Sequence, residues 1–543
     1  MTLQPPLPTS RYRDDERARA MYSEGAGIYR IVPRGVALPG SVEELVALVR
    51  WAGEVAIPLV PRGAGSAVTG SNVGDGIVVD LTRMAPRILE VDAAAGRART
   101  SAGVRAAELE TATAPHRLRL PPDPSSSRFA TLGGMVSTNA SGARTVRYGS
   151  VRRWVLGLDM VTVDGDLVTL RRGESPPLVP PIERFQREVA PEIRAAAEHV
   201  RAHFPRTRKN SSGYALDAWL ESGDLVDLVI GAEGTLGIVT QVEWRLDAAP
   251  SVKAGLRIAL ADLGLLAEAV EALLPLNPSA LELLDRTFLD LVRATRPDAA
   301  PAGTESILLL EFEGTDDQTV RGTVGDAVRR MKHLALDIST GGTPEDETRL
   351  WEVRHAASPI IADLPGGQRS LQVIEDGCVP VSRMAEYIVL VRGEAARLGL
   401  PVVIFGHAGD GNIHVNVLPD VDLPGWESDV AELYDGVTRG LIALGGTTSG
   451  EHSDGRIRAG ALRRLYGHEV VDLFQRVKEA FDPSWLLNPG VKLPPPHPTD
   501  PLHHLKVGAD AAPIPADIEL ALREIEKRGD YTRDRLAIAD SKA

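Results

Sequence analysis

The feature that most constrains this chain is a strand, a glycine-rich loop and a second strand within its first hundred residues. An apolar run at 57–60 leads into RGAGSAVTG at 62–70, and a second apolar run follows at 77–81. A Rossmann dinucleotide site needs a helix directly after its glycine loop, so Gly63 and Gly65 do not form that fingerprint. The pattern predicts a loop held between two strands, whose backbone N–H groups can converge on an anion.

Composition indicates a soluble globular protein of two or three domains, because 543 residues are too many for one core. The net charge of −14 disfavours nucleic acid or an anionic membrane as the main partner, since both need a dense basic surface.

The single cysteine, Cys378, excludes a disulfide framework and any cysteine-ligated Fe–S cluster or zinc ribbon within this chain. The N-terminus lacks a secretory signal, and no apolar run reaches the ~20 residues of a transmembrane segment. A cytoplasmic protein is expected.

Two further segments rich in glycine and serine lie in the same half of the chain, at 132–142 and 231–237. One such segment alone is more often only a tight turn. Three of them in one half favour a bound dinucleotide cofactor. All three lack the lysine of a P-loop, so a nucleoside triphosphate is not expected.

A pair of histidines lies across another glycine-rich turn, in FGHAGDGNIHVNVLP at 405–419. His407 ends an apolar run, and the alternation after the turn places His414 and Asn416 on one face of a strand. A tight turn between two strands can bring the imidazoles together as half of a metal site, although such pairs are more often core or surface residues. The string TTSGEHSDGR adds a carboxylate, Glu451, and a further imidazole, His452.

Local patterns predict several further elements. Ser41 and Glu44 form a capping box in front of an amphipathic helix, and Asp164-Gly165 forms a hairpin turn between two strands. The run ILLLEFEG predicts a buried strand. Near the end of the chain, a helix at 517–528 has Ile518, Leu522 and Ile525 on one face and stops at Gly529.

These motifs together resemble a known family. VPRGAGSAVTG, LPPDPSSSRFATLGGMVSTNASG and GAEGTLGIVT are similar to the loops of the vanillyl-alcohol oxidase/p-cresol methylhydroxylase (PCMH)-type FAD-binding domain. FGHAGDGNIH, SGEHSDGR and LNPG are similar to the C-terminal half of the FAD-linked 2-hydroxy acid dehydrogenases, which include D-lactate, glycolate and D-2-hydroxyglutarate dehydrogenases. The six motifs occur in the family's order between about residue 15 and about residue 493.

The resemblance implies an α+β fold with four parts. They are an N-terminal arm at 1–35, a PCMH-type FAD-binding domain of two α/β subdomains at 36–247, a C-terminal FAD-linked oxidase domain at 248–493, and a C-terminal tail with a short helix at 494–543. The oxidase domain would carry the substrate and metal sites on an antiparallel sheet with covering helices.

The resemblance also implies which residues bind FAD. The first loop would wrap the pyrophosphate, Glu233, Gly234 and Ile238 would lie near the adenine or the ribityl chain, and Asn488 would lie near the flavin ring. The other implied residues would line the cofactor: Pro61, Arg62, Gly63, Ala64, Gly65, Ser66, Pro122, Asp123, Ser126, Gly133, Gly134, Ser137, Asn139, Ser141 and Gly142. Members that attach FAD covalently through the first loop carry a histidine where Ser66 stands, so non-covalent FAD is expected.

In the second half, the resemblance assigns His407, His414 and Glu451 to a divalent metal, with Zn²⁺ as the first expectation. It assigns His452 as the catalytic base and Asn416 as a substrate contact. A histidine suits removal of a hydroxyl proton, and a metal with three protein ligands keeps open positions for the substrate oxygens.

Two further segments match the family less specifically. Arg354, in LWEVRHAAS, matches the carboxylate-binding arginine, whose planar fork suits that group; the alternative is a surface arginine on a helix. Lys209, Asn210 and Tyr214, in KNSSGYAL, either edge the substrate pocket or form only a turn followed by a helix.

Two positions depart from the family pattern. The family string GEHG reads GEHS here, with Ser453 in place of the glycine. If that position needs a positive φ, the serine destabilises the fold by about 1 kcal/mol or shifts the backbone of His452. Alternatively, the serine hydroxyl could bind substrate. D-2-hydroxyglutarate dehydrogenases carry a lysine for the distal carboxylate near Ile374 and Glu375. Its absence weakens the case for a five-carbon diacid and leaves glycolate, D-lactate or a larger 2-hydroxy acid.

The expected function is a metal-assisted, FAD-dependent oxidation of a D-2-hydroxy acid of the D-lactate, glycolate or D-2-hydroxyglutarate type to the 2-oxo acid. The segments YSEGAGIYRIVPRGVALPG and EHSDGR most resemble a longer branch with C-terminal Fe–S modules, which this chain lacks. Electrons would therefore leave to a separate Fe–S subunit, an electron-transfer flavoprotein or a quinone. The alternatives are a non-catalytic FAD-binding subunit and an oxidase of another alcohol on the same fold. A homodimer and a location peripheral to the membrane are left open.

Overall fold

A computed structural model describes residues 4–293, 295–297, 299–341, 344–356, 360–494 and 500–541. In this part of the chain, four strands form the first sheet: β1 (Tyr12–Arg13), β2 (Gly35–Ala37), β3 (Leu59–Arg62) and β4 (Ile77–Asp80). Their order is β1-β2-β4-β3, and β4 runs parallel to both β2 and β3. The first glycine loop therefore joins two neighbouring parallel strands without a helix, as the strand–loop–strand pattern predicts.

Helix Val42–Val55 packs its apolar side chains against this sheet. Only half of the predicted capping box forms at its start. The Ser41 hydroxyl accepts a hydrogen bond from the Glu44 N–H at 3.3 Å. The Glu44 carboxylate instead accepts from the Gly40 N–H at 2.8 Å and from Arg11, because the arginine draws it away from the Ser41 N–H.

The next strands form an antiparallel sheet and a small ribbon: β5 (Ile88–Asp92), β6 (Arg97–Ser101), β7 (Leu118–Arg119), β8 (Val155–Val161), β9 (Leu167–Arg171), β10 (Ile238–Arg245) and β11 (Asp247–Ala248). The sheet has the order β5-β6-β10-β8-β9, and β7 pairs with β11. Strands β8 and β9 are joined by the predicted Asp164-Gly165 turn, where Gly165 has a φ of +76°.

The largest sheet in the described residues has seven strands: β12 (Val252–Leu260), β13 (Ala280–Asp285), β14 (Ser306–Gly314), β15 (Asp337–Thr340), β16 (Gly377–Cys378), β17 (Val402–His407) and β18 (Asn412–Val417). Its order is β15-β12-β14-β13-β17-β18-β16, and the named pairs are all antiparallel. The run ILLLEFEG forms most of β14. The predicted α+β class with an antiparallel C-terminal sheet is confirmed.

The described residues also form the α-helices Glu16–Met21, Ala106–Thr113, Leu132–Thr138, Thr145–Tyr148, Pro180–Arg184, Ala190–Ala195, Ala197–His203, Leu216–Ser222, Leu225–Val229, Leu266–Leu273, Arg286–Arg293, Asp317–Met331, Pro344–His355, Met384–Arg397, Trp426–Ala443, Leu462–Phe481, Ala516–Arg528 and Arg535–Asp540. Leu462–Phe481 is kinked at Gly467 and packs into the core of the five-stranded sheet. This contact crosses the division predicted at residue 248, and that division stays a prediction.

The C-terminal tail packs onto the beginning of the chain. Ile518, Leu522 and Ile525 of helix Ala516–Arg528 are buried beside Met21 and Tyr22, and Gly529 ends the helix with a φ of +61°. The helix and its stop are those predicted from the sequence. The proline-rich segment at 495–499, where the tail was predicted to begin, lies outside the described residues.

Alternation along the strands gives the seven-stranded sheet two different faces. One face is apolar, with Leu281, Leu283, Ile413 and Val415 buried under helices such as Met384–Arg397 and Trp426–Ala443. Burying each such side chain stabilises the fold by about 1.5–3 kcal/mol. The intervening residues point to the other face and bring together Glu282, His407, His414 and Asn416. This second face positions the site.

Candidate active site

The two histidines of the glycine-rich turn lie side by side. His407 ends β17, and His414 lies in β18 opposite Phe405 in the antiparallel register. The imidazole centroids of His407 and His414 are 5.0 Å apart. The turn between the strands needs Gly411, which has a φ of +72° and where a Cβ atom would come within 2.1 Å of the Val379 carbonyl oxygen.

Three imidazoles converge on one carboxylate oxygen. The Oε1 atom of Glu451 lies 3.2 Å from Nε2 of His407 and 3.4 Å from Nε2 of both His414 and His452. Ligand atoms of His407, His414 and Glu451 all lie within 4.8 Å of one another. Two neutral imidazole nitrogens and one carboxylate oxygen are a usual donor set for a divalent metal that keeps an open position.

The far side of each metal-facing group is held in place. His407 Nδ1 contacts Glu282 Oε1 at 2.5 Å, and His414 Nδ1 lies 3.0 Å from the Glu375 carbonyl oxygen. Glu451 Oε2 accepts hydrogen bonds from Ser141 Oγ and Lys209 Nζ, both at 2.8 Å. Such partners select the ring tautomer that leaves Nε2 free to bind a metal, so the surroundings fit the donor set.

The charges around the cluster also fit a divalent cation. Five buried carboxylates belong to it: Glu282, Glu375, Asp376, Asp410 and Glu451. Four cationic side chains are paired with them: Arg208, Lys209, Arg354 and Arg458. With neutral imidazoles and ionised carboxylates, one negative charge remains uncompensated, and a buried site does not tolerate such an excess.

In the metal-free protein, two imidazoles have raised pKa values and add positive charge to the cluster. Burial lowers the pKa of His407, but the Glu282 carboxylate outweighs burial and raises that pKa to about 9. In the same way, Glu375 outweighs burial at His452 and raises its pKa to about 10. A divalent metal would replace these two protons.

The loop that carries Glu451 and His452 is held by one buried carboxylate. Asp376 Oδ2 accepts from the backbone N–H groups of Glu451 and His452, at 3.0 and 2.8 Å. The next residue, Ser453, is buried with a φ of +64°, the conformation that favours glycine. Its hydroxyl accepts a hydrogen bond from Lys492 Nζ at 3.0 Å and donates to the Ser211 carbonyl at 3.1 Å, so it faces the protein interior.

A cavity of about 1360 Å³ connects this cluster to the first glycine loop. It exceeds the ~300–1,000 Å³ usual for one small ligand, and therefore has room for a dinucleotide beside a small substrate. The loop has no room for side chains: a Cβ at Gly63 would lie 2.2 Å from Thr131 Oγ1, and one at Gly65 would lie 2.4 Å from the Arg62 guanidinium. This close packing brings backbone N–H groups to the cavity.

The comparisons with known proteins agree with this arrangement. The family "FAD binding domain" matches residues 33–171, and the family "FAD linked oxidases, C-terminal domain" matches residues 249–491. A D-lactate dehydrogenase of Anaerostipes hadrus is 30% identical over 470 residues, which cover 83% of this chain and 87% of that protein. The chain belongs to the FAD-linked 2-hydroxy acid dehydrogenase family.

Other relatives of this FAD-linked dehydrogenase carry related names. The glycolate oxidase subunit GlcD of Bacillus subtilis is 28% identical over 483 residues, covering 88% of this chain and 93% of that protein. Two solved structures share the fold: p-cresol methylhydroxylase, with a TM-score of 0.65, 16% identity and coverage of 90% and 94% of the two chains, and 4-ethylphenol oxidase of Gulosibacter chungangensis, with a TM-score of 0.66, 16% identity and coverage of 90% and 95%. Among the described helices of the dehydrogenase, none is long and apolar enough to cross a membrane.

Most residues assigned to FAD from the sequence line the cavity of this dehydrogenase. They are Pro61, Arg62, Gly63, Ala64, Gly65, Ser66, Asp123, Ser126, Gly133, Gly134, Ser137, Ser141, Gly142, Glu233, Gly234 and Ile238. Three others lie behind the wall. Pro122 is buried, Asn139 accepts a hydrogen bond from the Arg152 N–H, and Asn488 donates to the carbonyls of Ser71 and Glu233.

Arg354 and Asn416 also line the cavity. The Arg354 Nε donates to Glu282 Oε2 at 3.1 Å, and its guanidinium lies 4.5 Å from the centre of the Phe405 ring. The Asn416 Oδ1 accepts a hydrogen bond from Ser370 at 3.0 Å. Near the point where diacid dehydrogenases are expected to carry a lysine, Ile374 is buried in the apolar core and Glu375 lines the cavity.

Sequence reasoning missed the roles of three residues in the site. Glu282 bridges His407 and Arg354, and the only local signal is a lone carboxylate inside the apolar strand ALELLD. Lys209 holds Glu451, a role that KNSSGYAL does not indicate by itself, whereas Asn210 and Tyr214 bond to Tyr466 and Thr235 in the interior. Glu375, noted only as a departure from a lysine, contacts His452.

Proposed function

We propose that this FAD-linked dehydrogenase oxidises a D-2-hydroxy acid to the 2-oxo acid with non-covalent FAD and a divalent metal. Zn²⁺ is the first candidate for this metal. The observation that carries the proposal is the convergence of three Nε2 atoms on Glu451 Oε1 at the end of the cofactor cavity. The names of the relatives support the substrate class. Ser66, where covalent members carry a histidine, supports non-covalent binding.

Each side chain then has a defined task. His407, His414 and Glu451 would hold the metal, and His452 Nε2 would take the proton of the substrate hydroxyl. When bound, FAD supplies the hydride acceptor and the metal supplies a Lewis acid. Because like charges repel, a dication beside His452 disfavours its protonated form and lowers its pKa from the high value of the metal-free protein.

The substrate carboxylate would bind Arg354. Glu282 holds this guanidinium from one side and Phe405 lies beneath it, which fixes its plane toward the cavity. Asn416, on the same strand face as His414, would contact the substrate from the sheet. Neither Ile374 nor Glu375 offers a positive charge for a distal carboxylate, which favours glycolate, D-lactate or a larger 2-hydroxy acid over a five-carbon diacid.

The electron acceptor would be a separate Fe–S subunit, an electron-transfer flavoprotein or a quinone, and the proposed location is cytoplasmic.

Anaerobic flavin bleaching tests the proposal. Metal-replete protein is mixed with glycolate, D-lactate, D-2-hydroxyglutarate and D-mandelate, with L-lactate as the stereochemical control and 4-hydroxybenzyl alcohol as a probe for other alcohols. At least one D-acid or glycolate should bleach the flavin. Bleaching by none of the acids would refute the substrate class, and bleaching only by the aromatic alcohol would favour an oxidase of another alcohol.

A further inference from the structure

We propose that Glu375 is the positioning residue of His452, and that it fixes the ring tautomer in which Nε2 can accept a proton. The inference rests on the proposed function, in which His452 takes the hydroxyl proton. Neither the family resemblance nor the relatives' names assign a role to this position.

The contacts of Glu375 reach two imidazoles. Its side-chain Oε1 contacts Nδ1 of His452, and its Oε2 accepts from Arg458 Nη2 at 2.7 Å. Its backbone carbonyl lies 3.0 Å from Nδ1 of His414. Glu375 and Arg458 are both buried, at 4% and 2% exposure, so water does not compete for these bonds.

These contacts fix the direction of both rings. A carboxylate and a carbonyl have no proton to donate, so close contact with them favours the proton of each ring on Nδ1. The rings of His414 and His452 are stacked, with centroids 5.3 Å apart and planes 23° apart. Both Nε2 atoms then point to Glu451 Oε1, each at 3.4 Å. One residue therefore aligns a proposed metal ligand through its backbone and the proposed base through its side chain.

The neighbouring Asp376 has a separate task. Its carboxylate binds the backbone N–H groups of Glu451 and His452 and the hydroxyl of Ser449. Asp376 thus holds the loop in place, whereas Glu375 orients the imidazole that the loop carries. Because Asp376, and not the Glu375 side chain, accepts from the N–H groups of Glu451 and His452, substitution at 375 should leave these two bonds in place.

Glu375→Gln separates orientation from simple packing. Arg458 only donates hydrogen bonds, so the amide oxygen of glutamine must face Arg458, and the amide NH₂ must then face Nδ1 of His452. A donor at that position moves the ring proton to Nε2, the atom that has to accept the substrate proton. The same reversal of an imidazole tautomer by a carboxamide is a known cause of large losses in hydrolases. Glu375→Asp keeps a carboxylate and should restore part of the rate.

The test compares holoenzymes of the wild type, E375Q, E375D and E386Q, the last replacing an exposed glutamate that is paired with Arg383. Three quantities are measured: FAD and metal per chain, the Kd of oxalate from flavin absorbance, and the anaerobic rate constant of flavin reduction at saturating substrate. E375Q should keep both cofactors and the oxalate Kd, while its rate constant falls at least ~100-fold. The rate constant of E375D should be at least ~10-fold higher than that of E375Q, and the rate constant of E386Q should match that of the wild type.

Two results would overturn the inference alone: E375Q reducing its flavin as fast as an active wild type, or both variants losing metal and FAD together, which would mean a structural role. A wild type that is not reduced by any acid would refute the proposed function and this inference with it.

Discussion

The two faces of the seven-stranded sheet are built from the same strands but carry different kinds of side chain. Leu281 and Leu283 of β13 are buried under helices, whereas Glu282 between them bonds to His407 and Arg354. In β18, Val415 belongs to the core and its neighbours His414 and Asn416 line the cavity. Adjacent residues of one strand therefore serve separate purposes: those of the apolar face determine stability, and those of the cavity face determine chemistry.

The largest effect is expected on the cavity side. His452→Ala should lower the rate constant of flavin reduction by a factor of ~10²–10⁴, because the hydroxyl proton then has no positioned acceptor. FAD content and the melting temperature should stay close to those of the wild type. Anaerobic stopped-flow measurement gives the rate constant, and a variant with full activity would remove His452 from the mechanism.

The reverse pattern is expected on the apolar face. Leu283→Ala should lower the free energy of unfolding by about 2–5 kcal/mol, because it removes packed methyl groups and leaves a cavity. The folded variant should still reduce its flavin within about twofold of the wild-type rate, since its side chain does not reach the cavity. Denaturant unfolding and stopped-flow measurements check both halves of this prediction.

Glu282→Gln, one residue away from Leu283, should act mainly on metal binding, whereas Leu283→Ala should act mainly on stability. It removes the carboxylate that orients His407, so metal affinity should fall ~10–100-fold, whereas no packed methyl group is removed from the apolar core. Competition with a chromophoric chelator measures the affinity. A loss of stability without a loss of metal would show that the two faces are not separable at β13.

Metal affinity should also depend on pH. The pKa of His407 is raised to about 9 in the metal-free protein, so below that pH the ring carries a proton that the metal must displace. Affinity should therefore rise about tenfold per pH unit between pH 6 and 8 for this proton, and level off above about pH 9. Chelator competition across this range checks the slope, and a flat profile would contradict the role of His407 as a ligand.

The smallest effect is expected at Ser453. Ser453→Gly relieves the left-handed backbone, but it removes the hydroxyl that bonds to Lys492 and Ser211. The two contributions oppose each other, so the unfolding free energy should change by less than about 1 kcal/mol. Thermal and denaturant unfolding measure the change, and the rate of flavin reduction should stay unaltered because the hydroxyl faces away from the cavity.

Local sequence patterns were sufficient for the elements whose causes are local. Alternation and glycine position predicted the strand–loop–strand of the first sheet and the Asp164-Gly165 hairpin, and helical spacing predicted the C-terminal helix with its stop at Gly529. The half-formed capping box at Ser41 shows the limit, because Arg11, distant in sequence, takes part of the Glu44 carboxylate.

The site was only partly accessible to the same reasoning, because most of its supporting contacts are long-range. Lys209 and Ser141 reach Glu451 across more than 200 residues, and Glu282 meets His407 only through the pairing of β13 with β17. Nothing in the local sequence sets these distances. Asn488 illustrates the converse: its motif suggested a flavin contact, but its amide bonds to backbone carbonyls behind the cavity wall.

The most direct test of the central claim measures metal content and flavin reduction on the same protein in three states: as purified, after chelation, and after addition of one equivalent of Zn²⁺. The predicted result is about one metal per chain, loss of reduction on chelation with FAD retained, and recovery with Zn²⁺. Flavin reduction at an unchanged rate in the metal-free protein would contradict the claim that His407, His414 and Glu451 form a catalytic metal site.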